Sequence, residues 1–311
     1  MSATHDHDHH HGAAAGWVLW SAVALTLAFA GVEAGVGWWA GSLALVADAG
    51  HMVNDAGALV IAAVAGWIAR RPASRVHSYG LGRAEFLAAL VNSLGLLALV
   101  VWLAVSAVTR LQAPQPVQGA AVSLTAALGL AINIGVAWLL SRGEQNLNTR
   151  AAMLHVMGDL LGSVAALVAG VVITFTGWTP IDPLLSLAIG TLILVSSLRL
   201  LRQALHGLME GVPLHLSLEE IGREMAGVRG VKSVHDLHVW SVASDEIMLS
   251  AHLLVEDMRQ WPDILATSRA LLHERFDIGH VTLQPEADIH VLHLRPVPKT
   301  AGGGAHGHDH A

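Results

Sequence analysis

Residues 43–69 read LALVADAGHMVNDAGALVIAAVAGWIA. Apart from four polar residues near its middle the run is almost wholly apolar, and it exceeds the ~20 residues that carry a helix across hydrocarbon. Its polar members are Asp48, His51, Asn54 and Asp55. A carboxylate at the centre of a bilayer costs about 2.5–3.5 kcal/mol even on insertion scales, so such a group faces protein and needs a compensating partner. His51 and Asp55 stand four apart, which puts an imidazole and a carboxylate on one helical face, one turn from each other.

The same pattern recurs further along. Residues 151–177, AAMLHVMGDLLGSVAALVAGVVITFTG, contain His155-Val-Met-Gly-Asp159 in an equally apolar setting. Two His-x-x-x-Asp pairs facing each other supply two nitrogens and two oxygens, and a tetrahedral set of that kind suits Zn²⁺, with Co²⁺ or Cd²⁺ accommodated less selectively. Gly158 and Gly162 form a small-xxx-small step beside the second pair, which allows close approach of a neighbouring helix. Asp48, three residues before His51, is read either as an outer acceptor fixing the ring tautomer or as a group in a water-filled vestibule. Glu33, Asn92 and Asn133 are the other intramembrane polar groups, and hydrogen bonds between helices account for them.

Six apolar stretches are legible in all: 17–40, 43–69, 86–109, 119–140, 151–177 and 182–200. The links at 41–42, 111–118 and 178–181 carry no Lys or Arg, whereas 70–83 holds Arg70, Arg71, Arg75 and Arg83. Arg142, Arg150, Arg199 and Arg202 fall on the same side as that link, so the positive-inside rule places both termini in the cytoplasm. Only Arg110 sits against the pattern.

Composition agrees with a membrane protein: 53% of the 311 residues are apolar and 13% charged. A formal net charge of -7 supplies no basic face for nucleic acid. The chain has 20 His and no Cys, so disulfides are excluded and a metal site must use nitrogen and oxygen ligands. The first eleven residues are acidic and His-rich, unlike a cleavable secretory signal.

Past about residue 206 the apolar runs shorten and charges appear throughout, marking a soluble domain that opens near Gly211–Pro213. Ser217 with Glu220 is a capping-box signature for a helix to about Gly227. Strands are expected over Val231–Val242 and Ile247–Val255, a helix over Trp261–Phe276 and a last strand over Val281–Gln284. That α-β-β-α-β order makes an α+β domain with helices on one face of a small sheet. The expected organisation is a tail at 1–16, a six-helix membrane domain at 17–206, the cytoplasmic domain at 207–296 and a tail at 297–311. Both tails alternate His with Asp or Gly and are too polar to bury a core. An expression tag gives similar tracts, but Asp interleaved at both ends favours native metal-collecting tails.

The paired His-x-x-x-Asp motifs, the segment His77-Ser-Tyr-Gly-Leu-Gly-Arg-Ala-Glu85 between them and the compact C-terminal domain resemble the cation diffusion facilitator family, in its zinc-exporting branch. The resemblance covers nearly the whole chain. It implies six transmembrane helices followed by a ferredoxin-like, metallochaperone-like cytoplasmic domain, a homodimer, and proton-coupled efflux of divalent metal by alternating access. The transport ligands would be His51, Asp55, His155 and Asp159; Leu154, next to His155, is read either as part of a hydrophobic gate or, as is commoner for a leucine on a membrane helix, as lipid-facing or core-packing. His77 matches one ligand of a loop site, but Leu81 occupies the second position, which leaves that site absent or weak. Arg83 and Glu210 align with a charged pair that pins the membrane bundle to the cytoplasmic domain. In that domain the runs around His235 and His238, His252, and His280 to Glu286 resemble the family's metal-binding strands.

His235, His252 and Glu286 are therefore the first candidates there, then His280 and His290, then His238, which is expected on the strand face of His235. The cysteines of some relatives are missing, since the stretch reads Ala287-Asp-Ile-His290-Val-Leu-His293. Zn²⁺ is accordingly expected as substrate and as a regulatory ligand, with no organic cofactor, in a bacterial inner membrane. A membrane zinc hydrolase would need a motif such as His-Glu-x-x-His, which no helix carries. A passive metal channel and a membrane protein that senses metal without moving it are the alternative readings, and proton coupling separates the first from a carrier.

Overall fold

A computed structural model describes residues 11–142, 147–244 and 246–287. The elements are α1 (His11–Ala40), α2 (Leu43–Ala69), α3 (Ala84–Gln112), α4 (Gly119–Arg142), α5 (Leu147–Thr176), α6 (Ile181–Leu208), α7 (Leu218–Ala226), β1 (Val231–Ala243), β2 (Glu246–Val255), α8 (Trp261–Phe276) and β3 (His280–Ala287). The helix-strand order is the expected one. Residues 1–10 and 288–311, which include most of both His-rich tails and His290, lie outside the described residues.

Among the described residues, five helical segments are long and apolar enough to cross a membrane: Leu43–Ala69, Ala84–Gln112, Gly119–Trp138, Val156–Thr176 and Ile181–Leu208. Several helices outrun the apolar stretches that announce them. α1 begins at His11 rather than 17, and α6 continues from 200 to Leu208. The apolar run measures hydrocarbon thickness, whereas the helix ends only where a cap or turn stops it.

The chain divides into two compact units, one of Met1–Leu214 with Val239–Met248, the other of His215–His238 with Leu249–Ala311. In the first, α2 is central, packing against α1, α3, α5 and α6, while α3 lies along α6 and α4 along α5. Small side chains make these approaches close. Ala40 and Ala44 pack with Leu45, Val122, Ala126 and Ala166, and a Cβ at Gly170 of α5 would fall 2.6 Å from the Ser123 backbone nitrogen on α4.

The α1–α2 turn turns on Gly41, whose φ of +71° suits a residue without Cβ. Ser42 then caps α2, its hydroxyl accepting from Leu45 N–H at 3.3 Å. That cap is itself held from the far end of the sequence. Asp182, at the start of α6 and fully buried, accepts from Ser42 Oγ at 2.6 Å and from Leu43 N–H at 2.7 Å. Arg110 Nη1 stands 3.8 Å from the same carboxylate and donates to the Gly41 carbonyl. This explains the one arginine that breaks the charge pattern: it is paired with a buried acid at the end of α2.

In the second unit, Leu249, Ala251, Leu253 and Val255 of β2 are buried in strict alternation, and so are Ile221 and Met225 of α7 and Ile264 and Leu272 of α8. His252 therefore points away from that core. The sheet order is β1-β2-β3.

Candidate metal centres

In the helical unit, ligand atoms of His51, Asp55 and Asp159 all lie within 4.8 Å of one another. His51 Nε2 is 3.4 Å from Asp55 Oδ2 and 3.9 Å from Asp159 Oδ1. The first distance follows from the one-turn spacing on α2, the second from the packing of α5 on α2. His155 belongs to α5 one turn before Asp159, and its side chain, with that of Leu154, lies outside the described residues. Three convergent donors without a Lys or Arg among them can hold a divalent cation or the protons it displaces.

The polar residues around this trio have individual partners. Asn54 Nδ2 donates to Asn92 Oδ1 at 2.8 Å, tying α2 to α3, and Asn133 Nδ2 donates to Ser163 Oγ at 3.1 Å, tying α4 to α5. Asp48 is 4% exposed, which removes the vestibule reading. Of the small-xxx-small pair only Gly162 is at a close approach, since a Cβ there would lie 2.7 Å from Asp48 Oδ1, whereas Gly158 faces open space. Glu33 departs from expectation. It is fully buried on α1, and neither carboxylate oxygen has a hydrogen-bond partner among the described residues.

In the α+β unit, ligand atoms of His235, His252 and Glu286 also lie within 4.8 Å of one another, one residue from each strand. Glu286 bridges the two rings: its Oε2 is 3.1 Å from His235 Nε2 and its Oε1 2.9 Å from His252 Nδ1. The imidazoles meet edge-on with centroids 5.5 Å apart. Two nitrogens and a carboxylate oxygen with one side open to solvent suit a zinc-type ion completed by water.

One expectation is corrected here. His280 is not in the group, because it stands six residues before Glu286, about 20 Å along an extended strand. His238 stands three residues from His235, a spacing that on a regular strand would put the two on opposite sides.

The strand is not regular there because of Asp236, which the sequence reading overlooked. Its φ of +51° interrupts the alternation in the manner of a bulge, and its carboxylate reaches His238 Nε2 at 2.9 Å and His252 Nε2 at 3.6 Å. The His238 hydrogen bond, aided by the neighbouring charges of His238, His252 and His235, holds the Asp236 carboxyl below the ordinary aspartate range. An acid inside a His-x-x-His run was the available signal. His77 is exposed in its loop, its N–H bonded to Ser74 Oγ, and joins no ligand group among the described residues. Arg83 and Glu210 do meet, Nη2 to Oε1 at 2.6 Å, linking the start of α3 to the residues after α6.

A bundle of apolar helices around a half-buried His-Asp trio, followed by a small domain with its own imidazole-carboxylate trio, defines a membrane protein that handles metal cations. Residues 19–209 match the cation efflux transmembrane domain and residues 213–288 the cation efflux protein cytoplasmic domain, and the chain belongs to this family, the cation diffusion facilitators, whose members are transporters and not enzymes. The chain is similar to the zinc transporter ZitB of Escherichia coli, with 41% identity over 268 residues, 85% of each chain. The cadmium, cobalt and zinc/H(+)-K(+) antiporter of Bacillus subtilis is 35% identical across 91% of this chain and 93% of its own length. The metal cation efflux system protein CzcD of Cupriavidus metallidurans is 38% identical across 92% of this chain and 90% of its own.

Proposed function

We propose that this protein exports Zn²⁺, with Cd²⁺ and Co²⁺ as lesser substrates, from a bacterial cytoplasm across the inner membrane in exchange for protons. The observation that carries the reading is the convergence of His51, Asp55 and Asp159 within 4.8 Å deep in an apolar bundle. His155, one turn before Asp159 on α5, completes a two-nitrogen, two-oxygen set. The relatives support the choice of metal, since each is named for zinc or for metal cation efflux.

Exchange follows from the donor chemistry. The imidazoles and carboxylates that bind Zn²⁺ also bind protons, so arrival of one expels the other, and alternating exposure of the trio to the two sides converts that competition into antiport. α1 serves as the sixth span, and the arginines of the 70–83 link put both termini in the cytoplasm. The match of residues 213–288 to a cytoplasmic dimer domain supports a homodimer. The trio of His235, His252 and Glu286 serves as a second, cytoplasmic site that raises transport when cytoplasmic metal is abundant.

The test is metal uptake into proteoliposomes containing an interior pH dye, comparing the parent with Asp55→Ala and Asp159→Ala. Zinc entry matched by proton exit, and lost in both variants, is the expected result. Zinc flux without proton movement would indicate a channel, and flux surviving both substitutions would place the site elsewhere.

A further inference from the structure

Glu33 and Asp48 take no part in the trio, yet both are buried acids beside it. Counting 1.5 Å per residue, Glu33 lies about 10 Å from the end of α1 at Ala40 and Asp48 about 7.5 Å from the start of α2 at Leu43, whereas His51 is about 12 Å in. The two acids thus sit between the trio and the α1–α2 turn, on the outward side in the proposed topology. Asp48 and Asp159 are close enough for their charges to act on Glu33.

Glu33 is fully buried with both oxygens unpartnered among the described residues. Its carboxylate lies at Gly129 of α4, where a Cβ would come within 3.1 Å of Oε1, and that of Asp48 lies at Gly162 of α5, where a Cβ would come within 2.7 Å of Oδ1. Side chains at either glycine would fill the space these acids occupy. Among the described residues no Lys or Arg is placed to neutralise them. The one basic residue of α4, Arg142, is about 20 Å further along the helix from Gly129. Arg110 is engaged by Gly41 and Asp182, and the titratable groups that α2 and α5 carry within about two turns of Asp48 and Gly162 are His51, Asp55, His155 and Asp159. Ionised carboxylates in so dry a setting require a counter-cation.

From this we infer that Glu33 and Asp48 form a second cation station on the outward limb of the pathway, binding a hard cation, either protons or a divalent metal ion in transit, through oxygen alone. It rests on the transport reading above and deepens it. Oxygen-only ligation holds a zinc-type ion more loosely than a site with imidazoles, so affinity falls toward the exit and release is favoured.

The experiment uses full-length protein in lipid nanodiscs. Bound ¹⁰⁹Cd²⁺ per protomer is counted by equilibrium dialysis, and protons released on Cd²⁺ addition are followed with a pH dye in weak buffer, for the parent, Glu33→Gln and Glu33→Asp. If the station takes metal, Glu33→Gln binds one Cd²⁺ fewer per protomer. If it takes protons, the metal count holds and about one proton fewer is released. Glu33→Asp recovers either signal, which a purely structural role would not produce. Should Glu33→Gln not assemble, Asp48→Asn reads the same two quantities. Metal count and proton release equal to the parent in these neutral variants would overturn the station. Failure of the transport reading is a separate result, flux surviving Asp159→Ala, and leaves these counts intact.

Discussion

His51, Asp55 and Asp159 are gathered by two helices, and His235, His252 and Glu286 by three strands, yet each trio closes to within 4.8 Å. The routes differ. On α2 the i, i+4 spacing places His51 and Asp55 together before any tertiary contact exists, and only α5 must then dock. In the sheet no two ligands share a strand, so the site exists only when the register of β1 on β2 and of β2 on β3 is right. One site is written into local spacing and needs its helix held in place. The other is written into cross-strand pairing and depends on Asp236 at φ +51°.

That contrast can be attacked from each end. The largest expected effect is on the helical side. Asp182→Ala leaves Ser42 Oγ and Leu43 N–H without their buried acceptor and Arg110 without its ion-pair partner, and a loss of about 3 kcal/mol is expected, read as a lowered unfolding temperature together with weakened metal transport. Metal binding by the strand trio should be unchanged. If it falls in parallel, the two sites are not independent.

The mirror test is His252→Ala. Removing one of three ligands weakens metal binding at the sheet by at least the 10- to 100-fold that an outer-shell partner costs, measured by calorimetry on the full chain. Transport through the helical trio should persist. In the parent, metal at the sheet should be displaced as the solution is acidified, because protons compete with metal for its ligand atoms. Retention of full affinity at pH 5 would mean that His235 and His252 are not ligands. The smallest effect is expected from Arg83→Ala. The ion pair with Glu210 is 40% and 60% exposed on its two sides, so its loss should change stability by less than about 1 kcal/mol and leave both trios intact.

What could be read ahead of the structure follows the same division. The two His-x-x-x-Asp pairs, the apolar runs and the α-β-β-α-β order are periodic signals, and periodicity is a property of neighbours in sequence. His280 was misplaced because face parity along β3 is legible, as Glu286 shares it, while distance along the strand to the cross-strand partner is not. Asp236 was missed because its left-handed backbone undoes the alternation on which the reading of β1 relied. Arg110 seemed anomalous by the charge rule until Asp182 supplied a partner from another helix. Glu33 was expected to find a hydrogen bond because buried acids ordinarily do, and no local pattern shows that it finds none among the described residues.

The Asp182 bond to Ser42 spans 140 residues, and this bears on how the protein is made. At roughly 5–20 residues per second, a ribosome needs about 7–30 s after finishing Ser42 to deliver that aspartate. Throughout that interval the first turn of α2 lacks its side-chain acceptor and Arg110 lacks a counter-charge. Arrival of α6 closes both deficits at once, so completion of the α2 cap is timed to the last helix of the bundle, and a nascent bundle truncated before it presents an open amide end and a stranded guanidinium to membrane quality control.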